Sequence, residues 1–253
     1  MILAVNAGNT TIRAALGQKN GPPHSQIVFC AKNLDEAVLV RQIEERLGAD
    51  IWGRIQGSIL ASVVPEYREI IKAVITHKTG RPVQRVDTLN CGSLKTGQYE
   101  GLLGEDRAVC CAQALKKFAP PLVVIDCGTA TTVNVVNESG EFLGGAIMAG
   151  LQTGLDSLAR KTAQLPAIKG GSGEISAIGK NTEECLLSGA VIGLAAAIEG
   201  YVERIAEHLN AVPKIILTGG HAELVLPHCR FDYIHEPLLL LEGLFDLYTL
   251  YNL

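Results

Sequence analysis

Residues 2–11 and 122–131 open alike, and this likeness constrains the chain more than any other feature. The apolar run Ile2-Leu3-Ala4-Val5 leads into Asn6-Ala7-Gly8-Asn9-Thr10-Thr11. Leu122 to Ile125 leads into Asp126-Cys127-Gly128-Thr129-Ala130-Thr131-Thr132. A shift of 120 residues places Asn6 on Asp126, Gly8 on Gly128, Asn9 on Thr129 and Thr11 on Thr131. In both, a buried strand ends in a carboxylate or its amide, a glycine and hydroxyls follow, and a second strand begins. Internal repeats are read before anything else, and this period is too long for a solenoid. The chain therefore reads as two duplicated α/β halves facing a cleft. The boundary falls at Ala119-Pro120-Pro121, giving halves 1–118 and 119–253.

Coarse periodicity fills in the rest. The spacing predicts strands over Ile2–Val5, Ile12–Leu16, Ser58–Val64, Val83–Val86, Val133–Val136 and Lys214–Leu217. It predicts helices over Leu34–Leu47, Glu66–His77, Glu105–Phe118, about Thr153–Thr162, a long helix opened by Ile178–Glu184 and running to about Leu209, and about Leu240–Leu250. Glu141-Phe142-Leu143-Gly144-Gly145 carries the second half onward. Gly170-Gly171-Ser172-Gly173 reads as a loop. Asn181 with Glu184 matches a capping box, and Lys116-Lys117 suit the C-terminal end of their helix.

Composition excludes several classes. The 253 residues are 47% hydrophobic and 19% charged, with 22 Lys plus Arg against 26 Asp plus Glu, a net charge of −4. Such a chain is globular, and it lacks the basic surplus of a phosphate-backbone binder, so no nucleic-acid partner is expected. The seven cysteines include no C-x-x-C pair. They read as reduced thiols of a cytoplasmic protein, mostly small core residues, Cys110-Cys111 among them. The N-terminus lacks the pattern of a signal peptide. The apolar stretch around residues 185–198, broken by Ser188, Gly189 and Gly193, reads as a core helix, so no membrane partner is expected. His221 reads as a turn residue and Trp52 as packing.

The turns carry the first chemistry. Glycine admits a phosphate close to the backbone, flanking N–H groups and hydroxyls donate to it, and a strand-end carboxylate can hold a metal ion. With Thr218-Gly219-Gly220, the paired turns suit a nucleotide. No G-x-x-x-x-G-K-[ST] loop occurs. The second chemistry is Gly104-Glu105-Asp106-Arg107 at a helix start. There a carboxylate can take the proton of an attacking hydroxyl, and a guanidinium can fork onto a substrate carboxylate.

These residues, taken together, resemble a family. Asn6-Ala7-Gly8-Asn9-Thr10 resembles D-x-G-N-T, Ser62-Val63-Val64-Pro65 resembles S-V-V-P, Gly104–Arg107 is G-x-D-R, and Asp126–Thr132 is D-x-G-T-A-T-T. Leu143-Gly144-Gly145, Leu165-Pro166, Ile178–Thr182 and Leu241–Leu244 follow in order. The whole chain resembles the type III pantothenate kinases, of the acetate and sugar kinase, heat-shock ATPase and actin superfamily. The resemblance implies an α/β fold of two ribonuclease H-like halves with a nucleotide cleft between them, and a homodimer. It implies ATP-dependent phosphorylation of pantothenate to 4'-phosphopantothenate, the first step of coenzyme A synthesis. It makes Asp106 the general base. It lines the pantothenate site with Gly104, Glu105, Asp106 and Arg107, adds Thr182, and offers Tyr99 as the nearest tyrosine. It gives the ATP phosphates to Asn6, Ala7, Gly8, Asn9, Thr10, Thr11, Ile12, Arg13 and Thr129. It makes Asp126 a site for a monovalent cation, K+ or NH4+, and ATP would come with Mg2+.

This sequence departs from the pattern in three places. Asn6 stands where the family has an acid, Tyr99 lies about two residues short of the expected spacing, and Ala149-Gly150 replaces a P-G pair. Asn6 leaves room for an alternative, a catalytically weak nucleotide-binding relative with a regulatory or scaffolding role.

Overall fold

The structure, a computed structural model, describes residues 1–19, 21–171 and 174–252. Ser172 and Gly173 of the expected loop lie outside the described residues. The first unit carries β1 (Ile2–Ala7), β2 (Thr11–Gly17), β3 (Ser25–Cys30), α1 (Glu36–Leu47), α2 (Ile51–Arg54), β4 (Gly57–Ser62), α3 (Pro65–Thr79), β5 (Gln84–Arg85) and α4 (Glu105–Lys117). The second carries β6 (Leu122–Cys127), β7 (Ala130–Val136), β8 (Phe142–Ala149), α5 (Leu151–Lys161), α6 (Thr182–Leu209), β9 (Lys214–Thr218), α7 (Ala222–Val225) and β10 (Ile234–His235). A last helix, α8 (Leu239–Tyr251), closes the chain.

The two sheets share one topology. The first runs β3-β2-β1-β4-β5 and the second β8-β7-β6-β9-β10. In each, the first three strands in sequence form an antiparallel meander, and the remaining two add in parallel beside the first. This is the ribonuclease H-like arrangement twice over. The central strands β1, β4 and β6 are buried along almost their whole length because helices must cover a sheet with parallel members.

The described chain divides into Met1–Lys117 with Leu238–Leu253, and Phe118–Pro237. The sequence reading gave the last helix to the 119–253 half. The structure instead packs α8 against α4, β1 and β4 of the first unit. The physical reason is its apolar surface: Leu239, Leu240, Leu241, Leu244, Phe245 and Leu247 are buried. Lys116 pairs with Asp246 at 2.7 Å and Lys117 with Glu242 at 2.9 Å.

Helix ends follow their capping residues. Asp35 accepts the Val38 N–H at 2.7 Å to start α1. Pro65 sits at the first position of α3, where its missing N–H costs nothing, and Gly80 ends that helix in the left-handed region. Asn181 caps α6 through the Glu184 N–H at 2.9 Å. The Glu184 carboxylate reaches back to the Lys180 N–H at 2.7 Å, one residue earlier than a capping box would have it.

Candidate active site

The first turn joins β1 to β2. Its Gly8 N–H donates to the Thr11 carbonyl at 3.0 Å. Asn9 and Thr10 are exposed, while Asn6, Gly8, Thr11 and Arg13 are half-buried. Ala7 and Ile12 are fully buried in the core of the first unit, so only their backbone can face a ligand. Asn6 stands directly across the ladder from Arg13, on the same face of the sheet.

The second turn joins β6 to β7, with Gly128 N–H donating to the Ala130 carbonyl at 3.1 Å. It is one residue shorter than the first, because Ala7 pairs with Ile12 but Cys127 pairs with Thr131. Asn6 still falls on Asp126, but Thr11 falls on Ala130 rather than on Thr131. Thr131 takes the inward position that Ile12 holds in the first unit, and its hydroxyl is buried without a hydrogen-bond partner. Thr129 is exposed. Its carbonyl accepts the Gly150 N–H at 3.0 Å and the Thr153 hydroxyl at 2.7 Å. A Cβ at Gly150 would fall 2.1 Å from the Gly128 carbonyl oxygen. The glycine of Ala149-Gly150 is therefore the member of the pair that the packing requires.

Asp126 sits at the end of β6, opposite Thr132 and beside Thr218. Gly219 has φ +103, and a Cβ there would stand 2.4 Å from Asp126 Oδ1. The missing side chain keeps space beside the carboxylate, which fits a hard cation with oxygen ligands. His221 donates its backbone N–H to the Cys127 carbonyl at 2.9 Å, and its Nδ1 is buried without a partner. Among the described residues no three His, Cys, Asp or Glu side chains gather into a metal cage. A cation at Asp126 would therefore draw most of its ligands from carbonyls, phosphates or water.

Glu105 and Asp106 start α4 as the helix dipole prefers. The Asp106 carboxylate accepts the Arg107 N–H at 2.8 Å. A Cβ at Gly104 would stand 2.8 Å from the same Asp106 oxygen. Burial pushes the Asp106 carboxyl up from its ordinary range. The Arg107 N–H and guanidinium draw it back in part, and the Glu105 charge pushes it up again. The loop before α4 brings Tyr99 onto Arg107 in spite of its short spacing. Arg107 Nη1 donates to the Tyr99 hydroxyl at 3.3 Å, and the guanidinium carbon lies 5.7 Å from the ring centroid.

Glu105 faces inward, and its side chain is 10% exposed. Its Oε2 accepts the Ser62 N–H at 2.8 Å, and its Oε1 takes Arg68 Nη2 and Arg85 Nη2, each at 3.2 Å. The sequence reading missed both arginines. They precede Glu105 by 37 and 20 residues, and no motif joins them. Thr182 is exposed in the first turn of α6, on the second unit. The cysteine reading stands for Cys110 and Cys111, which are buried. Burial pushes the Cys111 thiol up to about 12, so it stays protonated. Trp52 is buried and donates its indole N–H to Glu44 at 2.7 Å, a packing role.

Two sheets of one ribonuclease H-like topology, each with a glycine turn at the end of its central strand, define the fold of the acetate and sugar kinase, heat-shock ATPase and actin superfamily. Solved structures share it. A Campylobacter jejuni protein assigned to a Baf family of transcriptional activators matches with a TM-score of 0.61 and 18% identity, covering 99% of this chain and 100% of that one. A ROK family glucokinase from Streptomyces griseus, solved with glucose and AMPPNP, matches at 0.54 and 15%, covering 97% and 98%. At such identities the likeness is one of fold. Sequence narrows it further: residues 2–204 match the model of the type III pantothenate kinase family. Type III pantothenate kinases from Moorella thermoacetica (32% identical, covering 96% of this chain and 97% of that one) and Thermus thermophilus (35%, covering 95% and 96%) are similar along their length. The chain belongs to the type III pantothenate kinase family.

Proposed function

We propose that the chain phosphorylates pantothenate at its primary hydroxyl, with ATP as donor, in the first step of coenzyme A synthesis. Family membership supports the reaction, and the Asp106–Arg107–Tyr99 cluster is the observation that carries the assignment of roles. The pantothenate hydroxyl oxygen forms a bond to the γ-phosphorus, the bond to the β,γ-bridging oxygen breaks, and ADP leaves. Asp106 accepts the hydroxyl proton, and its raised carboxyl is poised nearer neutral pH for that task. Arg107, steadied by Tyr99, forks onto the pantothenate carboxylate. Gly104 leaves room beside Asp106, and Thr182 contributes a hydroxyl to the substrate.

The Asn6–Arg13 turn and Thr129 hold phosphates with exposed N–H groups and hydroxyls. Magnesium bound with ATP would neutralise phosphate charge, reaching Asn6 through water. Asp126, with the space that Gly219 leaves open, supports a potassium or ammonium ion. The enzyme is read as cytoplasmic and as a homodimer. Helix α6 supports the dimer: it is long and apolar enough to cross a membrane by length and composition, yet 28% of its most apolar window is buried within the chain. It borders a groove of about 500 Å3 lined by Leu151, Leu155, Leu158, Leu186, Ala190 and Leu194, which a second copy would cover.

The test is ADP release with and without pantothenate, in potassium and in sodium, for the unaltered chain and Asp126→Ala. Pantothenate-dependent turnover that needs potassium or ammonium, lost with Asp126, is the expected result. ATP binding without turnover overturns the kinase reading, and equal rates in sodium and potassium overturn the cation site.

A further inference from the structure

The Glu105 carboxylate is the most heavily partnered acid beside the candidate base, and its neighbours come from separate elements. Ser62 ends β4, Arg68 lies on α3, and Arg85 lies on β5. A carboxylate present only to please the helix dipole would stay in water. Burying it demands donors, and here they are a backbone N–H and the guanidiniums of Arg68 and Arg85. Arg68 also donates to the Ser62 carbonyl, so both backbone groups of Ser62 are held. The Ser62 hydroxyl donates to the Val64 carbonyl at 2.9 Å, which makes the Ser62–Pro65 corner a fixed point. Ser62 is also the ladder partner of Ala7, the last residue of β1 before the first turn. One network therefore runs from that turn, through the end of β4, to the start of α4.

We propose that Glu105 is a positioning residue: its bonds to Ser62, Arg68 and Arg85 hold the α4 start so that Asp106 keeps its place relative to the Asn6–Arg13 turn. The proposal rests on the reading of Asp106 as the base. Misplacing a reacting group by about 1 Å can cost on the order of 10²-fold in rate, so a network that fixes the base relative to the phosphates acts on turnover rather than on nucleotide affinity. The charged groups around Asp106 are Glu105 and Arg107 on its own helix. Arg68 from α3 and Arg85 from β5 face it through Glu105.

The experiment is a double-mutant cycle with Glu105→Gln, Asp106→Asn and the pair, each followed by kcat, KM for both substrates, the pH profile and the melting temperature. Glu105→Gln should lower kcat by roughly 10- to 10²-fold and leave the KM for ATP within about twofold. The acid limb of its profile should move to lower pH, since a negative neighbour is removed from Asp106 while Arg68 and Arg85 stay. In the Asp106→Asn background, Glu105→Gln should cost nothing further. Arg85→Gln removes one partner at the half-exposed end of the network. It should lower kcat in weaker form and leave the KM for ATP alone, while the acid limb moves toward higher pH because a positive neighbour is lost, and it guards against a Glu105 variant that fails to fold. Losses that multiply in the double variant overturn the positioning role alone, as does an unmoved acid limb. Near-unaltered turnover of Asp106→Asn overturns the base assignment, and the proposal with it.

Discussion

Asp106 meets two opposed demands. Its folded-state carboxyl is raised above the unfolded value, chiefly by burial, so ionising it costs the fold stability. That part of the stability is present below the ordinary aspartate range and is lost as pH rises through the raised value. Asp106→Asn should therefore melt higher than the unaltered protein at neutral pH and no higher in strong acid, while turnover falls by roughly 10²–10⁴-fold. Scanning both proteins across pH alongside the ADP-release assay checks the two halves together; undiminished turnover would refute the role. The acid limb of kcat/KM should lie above the ordinary aspartate range, because the base works only when ionised. Asn6 poses the complementary question. It faces Arg13 where the equivalent Asp126 faces Thr132, so a cation of the protein's own already stands at the first turn. Asn6→Asp should tighten ATP binding in excess magnesium and loosen it in chelator, where the new charge meets bare phosphates. Titration in both conditions decides it, and equal weakening in the two would show that position 6 holds no metal.

At the scale of elements, periodicity located the long helices to within a few residues, because each buries one face and is stopped by a cap. Two strands of the meanders were not legible. Ser25–Cys30 alternates buried and exposed residues only in short compass. Phe142–Ala149 contains Gly144 and Gly145, two residues that weaken any strand pattern. The structure keeps them in the strand at φ +111 and +145, with a register shift at Val135/Val136. The repeated turn was legible, but its length was not, since one deleted residue leaves the residue types in order and changes only which of them faces inward. Thr131 pays for that slip with a buried, unpartnered hydroxyl. Thr131→Val exchanges the hydroxyl for a methyl of similar shape and should stabilise the ligand-free protein by about 1–3 kcal/mol. Thermal or denaturant unfolding measures it, and an unchanged or lower stability would mean that the hydroxyl has a partner after all.

At the scale of the whole molecule, α6 is the element least explained by its own chain. Only Val191, Ala195, Ile198 and Val202 are buried, and Gly189, Gly193, Ala197 and Tyr201 are exposed. If a second copy covers this face, Ala197→Glu should place a charge in the interface and shift the protein toward monomer. Sedimentation equilibrium over a concentration series reads the change. A protein that is monomeric before the substitution, or a dimer undisturbed by it, would remove α6 from the interface.

The order of residues along the chain determined the duplicated α/β plan, both glycine turns, the acid at a helix start and the family. Each of these is written in neighbouring residues, where apolar periodicity, glycine and capping side chains act locally. Tertiary structure alone decided that α8 joins the first unit, that Thr131 points inward, that Tyr99 reaches Arg107, and that Glu105 turns away from solvent onto Arg68 and Arg85. The reason is the same in each case. A buried charge or an apolar helix face is satisfied by whatever the folded chain brings to it, and those partners lie tens of residues or more away in sequence, across a loop as Tyr99 does, or in a strand register that one residue can shift.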